Sequence, residues 1–228
     1  LKAMAIQMEK LNLYSGQVNL DFTAIPHWGD ESVLENNWSG KRNKALKSVL
    51  AALCQDPDSG VFYYSNSELD KKTQNDFVLE FLDFWKTNES KISCLIFDSK
   101  FTIYQNLQKL DEDGIKFITL RRRGPKLVEE TKKIPEDQWQ DINVEGQSRK
   151  RQKLRIHDSE VLLNKSLKNK FRQIIVTDNG HDKPSYFITN DREKAASQII
   201  LQYGKRWNIE KGISEQIEFF HLNSLSSS

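Results

Sequence analysis

The chain has 228 residues, of which 37% are hydrophobic and 29% charged, with a formal net charge of +2. That size fits one large domain or a core with an insertion, and no apolar run approaches the ~20 residues that a helical membrane span needs. Cys54 and Cys94 stand alone, which excludes a cysteine metal site and reads as two buried thiols of a reducing compartment. The start, Leu1-Lys2-Ala3-Met4, has neither an initiator Met nor a full signal-peptide pattern, so the expectation is a piece of a longer chain.

In chain order, Gln17 to Thr23 alternates apolar and polar residues and predicts a strand containing Asp21; Trp28 to Leu34 predicts a second. Lys41 to Leu53 has partly helical spacing, yet its end, Ser48 to Leu53, also fits a strand, and periodicity leaves both open. Asp56-Pro57-Asp58-Ser59-Gly60 predicts a turn, because proline fixes φ and glycine relaxes it, and with Val61 to Tyr64 it makes 48–64 a hairpin. Leu69 to Trp85 predicts an amphipathic helix with Phe77, Phe81, Phe84 and Trp85 on or near its inner face. Ile92 to Phe97 predicts a buried strand ending at Asp98. Phe101 to Leu110 predicts a helix closed by Asp113-Gly114, and Ile115 to Leu120 another strand.

After Leu120 the texture changes. Arg121-Arg122-Arg123-Gly124-Pro125 opens a basic, loop-rich stretch; Leu154 to Ile156, Phe171 to Thr177 and Ser185 to Thr189 predict strands, the last two joined by the turn Asp178-Asn179-Gly180. Lys116 to Arg172 carries sixteen basic and eight acidic residues, a net of +8, which leaves −6 on the remainder. A basic module beside an acidic one points to a polyanionic partner, although a solvated basic surface would look the same. Glu193 to about Phe220 predicts helix, either continuous or interrupted near Gly204. The reading is a core over 1–120, a basic β-rich insertion over 121–189, and final core helices over 190–228.

Tyr203, Arg206 and Glu210 stand at i, i+3 and i+7, so they share one helical face, with Ile209, Ile213, Ile217 and Phe220 on or beside it. A carboxylate turned toward a core needs a partner or a metal. Arg206 and Glu210 fit an ordinary exposed helix pair, which contributes only about 0.3–0.5 kcal/mol, so little loss of stability is expected from Arg206→Lys. Asp21 and Asp98 sit within or just after apolar runs; singly each reads as structural, Asp98 as a helix N-cap. Together, strand-Asp, strand-Asp and helix-Glu suit two hard divalent cations in an in-line phosphoryl displacement. The histidines His27, His157, His181 and His221 show no zinc spacing, and there is no Gly-rich phosphate loop or nucleophile elbow.

These residues resemble the DDE transposases of bacterial insertion sequences, in the subgroup with a Tyr-x2-Arg-x3-Glu-x6-Lys signature. Tyr203, Arg206 and Glu210 match its first three members. Leu20-Asp21-Phe22-Thr23 resembles the block around the first catalytic aspartate, and Leu95-Ile96-Phe97-Asp98 with Phe101-Thr102-Ile103-Tyr104 the block around the second. Trp38-Ser39-Gly40-Lys41-Arg42 and Ile115 to Arg123 are also similar to such proteins, so the likeness runs from about Asn19 to Asn223.

The resemblance implies an α/β, ribonuclease H-like mixed sheet flanked by helices, with a β-strand insertion before the last catalytic helix. It implies that Asp21, Asp98 and Glu210 hold two Mg²⁺ ions (Mn²⁺ can substitute). Tyr203 and Arg206 would hold phosphates near the cut, and Arg121, Arg122 and Arg123 would contact DNA. The partners implied are double-stranded transposon ends and target, bound by a dimer at the bacterial nucleoid in the cytoplasm, with no membrane. Ile217 stands where the signature has Lys, and no N-terminal helix-turn-helix is evident. Two alternatives are an inactive transposase-derived DNA-binding module and a ribonuclease H-like nuclease without strand transfer.

Overall fold

The structure, a computed structural model, describes residues 2–28, 34–39, 43–70, 72–86, 91–145, 151–180 and 182–222. Most of the strand expected at 28–34, the Gly40-Lys41-Arg42 part of the family-like block, His181 and Asn223 fall outside the described residues. The architecture is mixed α/β, in two compact units: Leu1–Ile92 with Arg206–Ser228, and Ser93–Lys205. The chain thus divides after Ile92 and after Lys205, whereas the sequence reading drew its boundaries at 120 and 189.

The first unit opens with α1 (Lys2–Lys10), which buries Ala5 and Met8. β1 (Gln17–Pro26) runs antiparallel to β3 (Lys44–Gln55), which also pairs antiparallel with β2 (Asn36–Ser39) and β4 (Phe62–Leu69). The segment that fitted either helix or strand is therefore strand. Cross-strand pairing that buries Leu50, Ala52 and Cys54 outweighs the helix propensity of its Ala-Leu composition. The predicted hairpin turn is present and is built around Asp56. This fully buried carboxylate accepts hydrogen bonds from the N–H groups of Ser15, Asp58 and Ser59 and from both serine hydroxyls.

Alternation along β1 puts Asp21 and Asn19 on one face and Leu20 and Phe22 on the other. Phe22 meets Phe77 of α2 (Phe77–Trp85), with ring centroids 6.1 Å apart, and Tyr63 and Tyr64 of β4 stack on Trp85 and Phe84 at 5.3 and 4.5 Å. The helix is shorter than its pattern: β4 extends to Leu69, and the helical turn starts only at Gln74. The Asp21 face is covered by α6 (Trp207–Phe219), which buries Ile209 and Ile213. Gly212 allows the close approach, since a Cβ there would lie 2.8 Å from Nε2 of Gln55, the residue opposite Asn19.

In the second unit, β5 (Cys94–Phe97) is buried throughout and pairs in parallel with β6 (Lys116–Leu120) through the crossover helix α3 (Tyr104–Glu112). Asp113 closes α3 as expected, and Gly114 takes the left-handed turn at φ +71°. α4 (Pro125–Thr131) follows the arginine run. Then come β7 (Gln140–Glu145), β8 (Arg151–Val161), β9 (Phe171–Thr177) and β10 (Ser185–Thr189), each of the last three antiparallel to its predecessor. β10 returns to pair with β6. The basic β-rich stretch is therefore continuous with the sheet of β5 and β6. α5 (Ala196–Gly204) packs on this sheet through Ala196, Ile199 and Tyr203.

The predicted break near Gly204 is present: α5 ends there, and α6 starts at Trp207. This corrects the expectation that Tyr203, Arg206 and Glu210 line one face of one helix. Tyr203 belongs to α5 and to the second unit, Arg206 and Glu210 to the first.

Candidate active site

Arg206 occupies the cap position of α6, and its side chain is buried. Its Nη1 donates to Oδ2 of Asp21 at 2.9 Å, and its Nη2 pairs with Oε1 of Glu210 at 2.8 Å. One guanidinium thus bridges the first-strand acid and the last-helix acid, through a hydrogen bond to Asp21 and an ion-pair contact with Glu210. A planar fork suits this task, because its two donors leave in fixed directions. Oδ1 of Asp21 accepts the N–H of Phe22 at 2.8 Å, which fixes the carboxylate's orientation. Asp21 is nearly as buried as Arg206, whereas the side chain of Glu210 is 48% exposed, so the site opens to solvent at Glu210.

The structure corrects the bland view of Arg206 as one half of an exposed helix pair. The helical spacing joins Arg206 to Glu210 alone; the pairing with Asp21 spans 185 positions and leaves no local signal. The clue was the buried face of β1, where an acid at Asp21 required a cation of its own.

Asp98 lies at the C-terminal end of β5, half-buried, in the second unit. It holds the N-cap position of the turn Ser99–Phe101, yet its side chain makes no cap hydrogen bond; its backbone carbonyl accepts from Phe101 N–H at 3.0 Å. The structural role expected of a lone strand-end aspartate is thus not the one its carboxylate performs. Tyr203 is a core residue of the second unit, edge-on to Phe187 at 5.3 Å.

The three arginines differ. Arg121 is half-buried and donates from Nη1 to Gln173 at 3.0 Å, tying down the sheet. Arg122 and Arg123 are exposed and reach only backbone carbonyls, Arg122 that of Ser99 at 3.4 Å and Arg123 that of Lys183 at 3.5 Å. Arg122 therefore projects beside the residue that follows Asp98.

Hard carboxylate oxygens are the donors that Mg²⁺ prefers, so the donor chemistry of Asp21, Glu210 and Asp98 fits such an ion. Among the described residues, no group of three His, Cys, Asp or Glu is gathered as a ready metal cage. Among the described residues, no helix is long and apolar enough to cross a membrane.

Comparison with protein-family models and with curated protein sequences returns no match.

Proposed function

We propose that the chain is a DNA transposase catalytic domain of the DDE type, with a ribonuclease H-like core, acting on double-stranded transposon ends and target. The observation that carries this reading is the bridge at Arg206. It supports a common site for an acid of the first strand and an acid of the last helix, in the order and on the elements that the family-like motifs imply. The β1–β3–β4 antiparallel set followed along the chain by a parallel β5–α3–β6 unit supports the ribonuclease H-like reading. So does the uncapped carboxylate of Asp98 at a strand's C-terminal end.

Asp21, Asp98 and Glu210 are the residues that would hold divalent cations, which supply charge neutralisation at the phosphate and activation of an attacking water or 3′-hydroxyl. The chain's own contributions are orientation of Asp21 by the Phe22 amide, and a guanidinium that can grip a phosphate through two parallel hydrogen bonds. Exposed Arg122 and Arg123 supply phosphate contacts that position the duplex.

The test is incubation with Mg²⁺ and DNA fragments from either side of the chain's own coding region. New 3′-hydroxyl ends that join to a second DNA support the reading. Cuts without joining leave a ribonuclease H-like nuclease. One observation favours an inactive DNA-binding derivative: Ile217, at the signature's Lys position, is half-buried in α6. DNA binding without any cleavage would establish that reading instead.

A further inference from the structure

Resting on that reading, we propose that Arg206 is a resident counter-cation, which holds Asp21 and Glu210 in the cation-free chain and is exchanged when a divalent cation binds. Two carboxylates near one another repel, and a buried one is costly without a partner. A single guanidinium answers both costs here: Nη1 donates to Asp21, and Nη2 lies in ion-pair contact with Glu210. Both carboxylates also carry oxygens of the kind that a hard divalent cation prefers.

The geometry makes the competition direct. Oδ1 of Asp21 is held by the Phe22 amide, and Oδ2 is the oxygen in the grip of Arg206. A cation that takes Oδ2 displaces or weakens the Nη1 hydrogen bond. A cation that takes Oε1 of Glu210 does the same to Nη2. The half-exposed Glu210 gives the ion its entry, since it is the most solvent-accessible of the three groups. A guanidinium turned away from these acids can meet a phosphate of the DNA backbone through its planar fork. The exchange thus couples the two events. Cation binding turns an arginine occupied by the chain's own acids into one available to DNA, and by linkage DNA that engages Arg206 tightens cation binding.

The experiment measures Mn²⁺ binding by the loss of free-ion paramagnetic resonance signal, together with thermal unfolding in EDTA and in Mn²⁺. The chains compared are the unsubstituted protein, Arg206→Gln, Arg206→Lys and Asp21→Asn. Arg206→Gln should melt lower in EDTA, bind Mn²⁺ about ten-fold more tightly and gain more melting temperature from it, within the usual range of site-to-site coupling. Arg206→Lys keeps the charge but loses the fork and should fall between; it carries the test if the Gln variant does not fold. Equal or weaker Mn²⁺ binding by folded Arg206 variants would overturn the exchange while leaving the proposed function intact. If the unsubstituted protein binds no Mn²⁺ that Asp21→Asn removes, the exchange and the metal-dependent reading both fall.

Discussion

Arg206 donates to Asp21 across 2.9 Å and thereby ties the cap of α6 to the middle of β1, 185 positions earlier in the chain. The pair is buried on both sides, and the same guanidinium reaches Glu210. Deleting one member of a buried pair leaves an uncompensated charge, which typically costs about 3–5 kcal/mol. Arg206→Ala should therefore lower unfolding free energy by roughly 3 kcal/mol, measured by urea denaturation, and Arg206→Lys by a smaller but clear amount. In a cycle with Asp21→Asn, the two losses should be strongly non-additive. Additive losses would mean that the pair contributes nothing.

Gly212 sits where α6 meets Gln55 of β3 and Phe62 of β4. A Cβ would come within 2.8 Å of Gln55 Nε2 and 2.9 Å of the Phe62 ring, and Gln55 already donates to the Gly60 carbonyl at 3.0 Å. Gly212→Ala should gain about 1 kcal/mol of helix propensity yet still destabilise, because overpacking costs typically 1–3 kcal/mol. Thermal unfolding above that of the parent would show that Gln55 and Phe62 yield freely.

Asp191 offers a test by pH. Burial raises its pKa, but the amides of Lys194 and Glu193 and the charges of Lys116 and Lys194 outweigh this and hold the carboxyl below the usual range. A folded pKa below the unfolded value contributes stability above the unfolded pKa, and that stability disappears as pH falls through the folded pKa. Asp191→Asn should therefore cost about 1–3 kcal/mol near neutral pH and progressively less in acid. An Asn penalty independent of pH would contradict this.

Exposed Arg122 and Arg123 should contact phosphates, whereas Arg121 is occupied by Gln173. Replacing the exposed two with Ala should flatten the salt dependence of DNA affinity by at most about two units, at roughly 0.9 per phosphate. Arg121→Ala should leave the slope unchanged. A slope that responds only to Arg121 would reverse the assignment.

Cys54 and Cys94 are buried; burial pushes the Cys94 thiol up to about 12 and the Cys54 thiol well above its ordinary value. Neither should react with a thiol reagent until the chain is unfolded. Rapid labelling of the native protein would contradict the burial.

Much of this fold is legible in the residues. β9, β10 and their Asp178–Gly180 turn follow the pattern closely, because each strand is short, β-branched or aromatic, and bounded by turn formers. β2, α4 and β7 are not legible. Gln140–Glu145 buries only Val144 in full, so it carries no clear alternation, and Pro125–Thr131 is a seven-residue helix with only a proline at its start to mark it. β3 defeats periodicity because its Ala-Leu run suits a helix until its neighbours are known. At the site, the acids stand out as charges in apolar runs, but the partner of Asp21 does not, because pairing over such a distance is a property of the fold.

We propose that Asp21, Asp98 and Glu210 act together in one metal-dependent reaction, and single alanine replacements put this to the test. Cleavage of DNA in Mg²⁺ should be lost in all three variants, each shown to be folded, while Asp58→Ala in the exposed β3–β4 turn keeps activity. Cleavage that survives the loss of any one of the three in a folded protein would contradict the account.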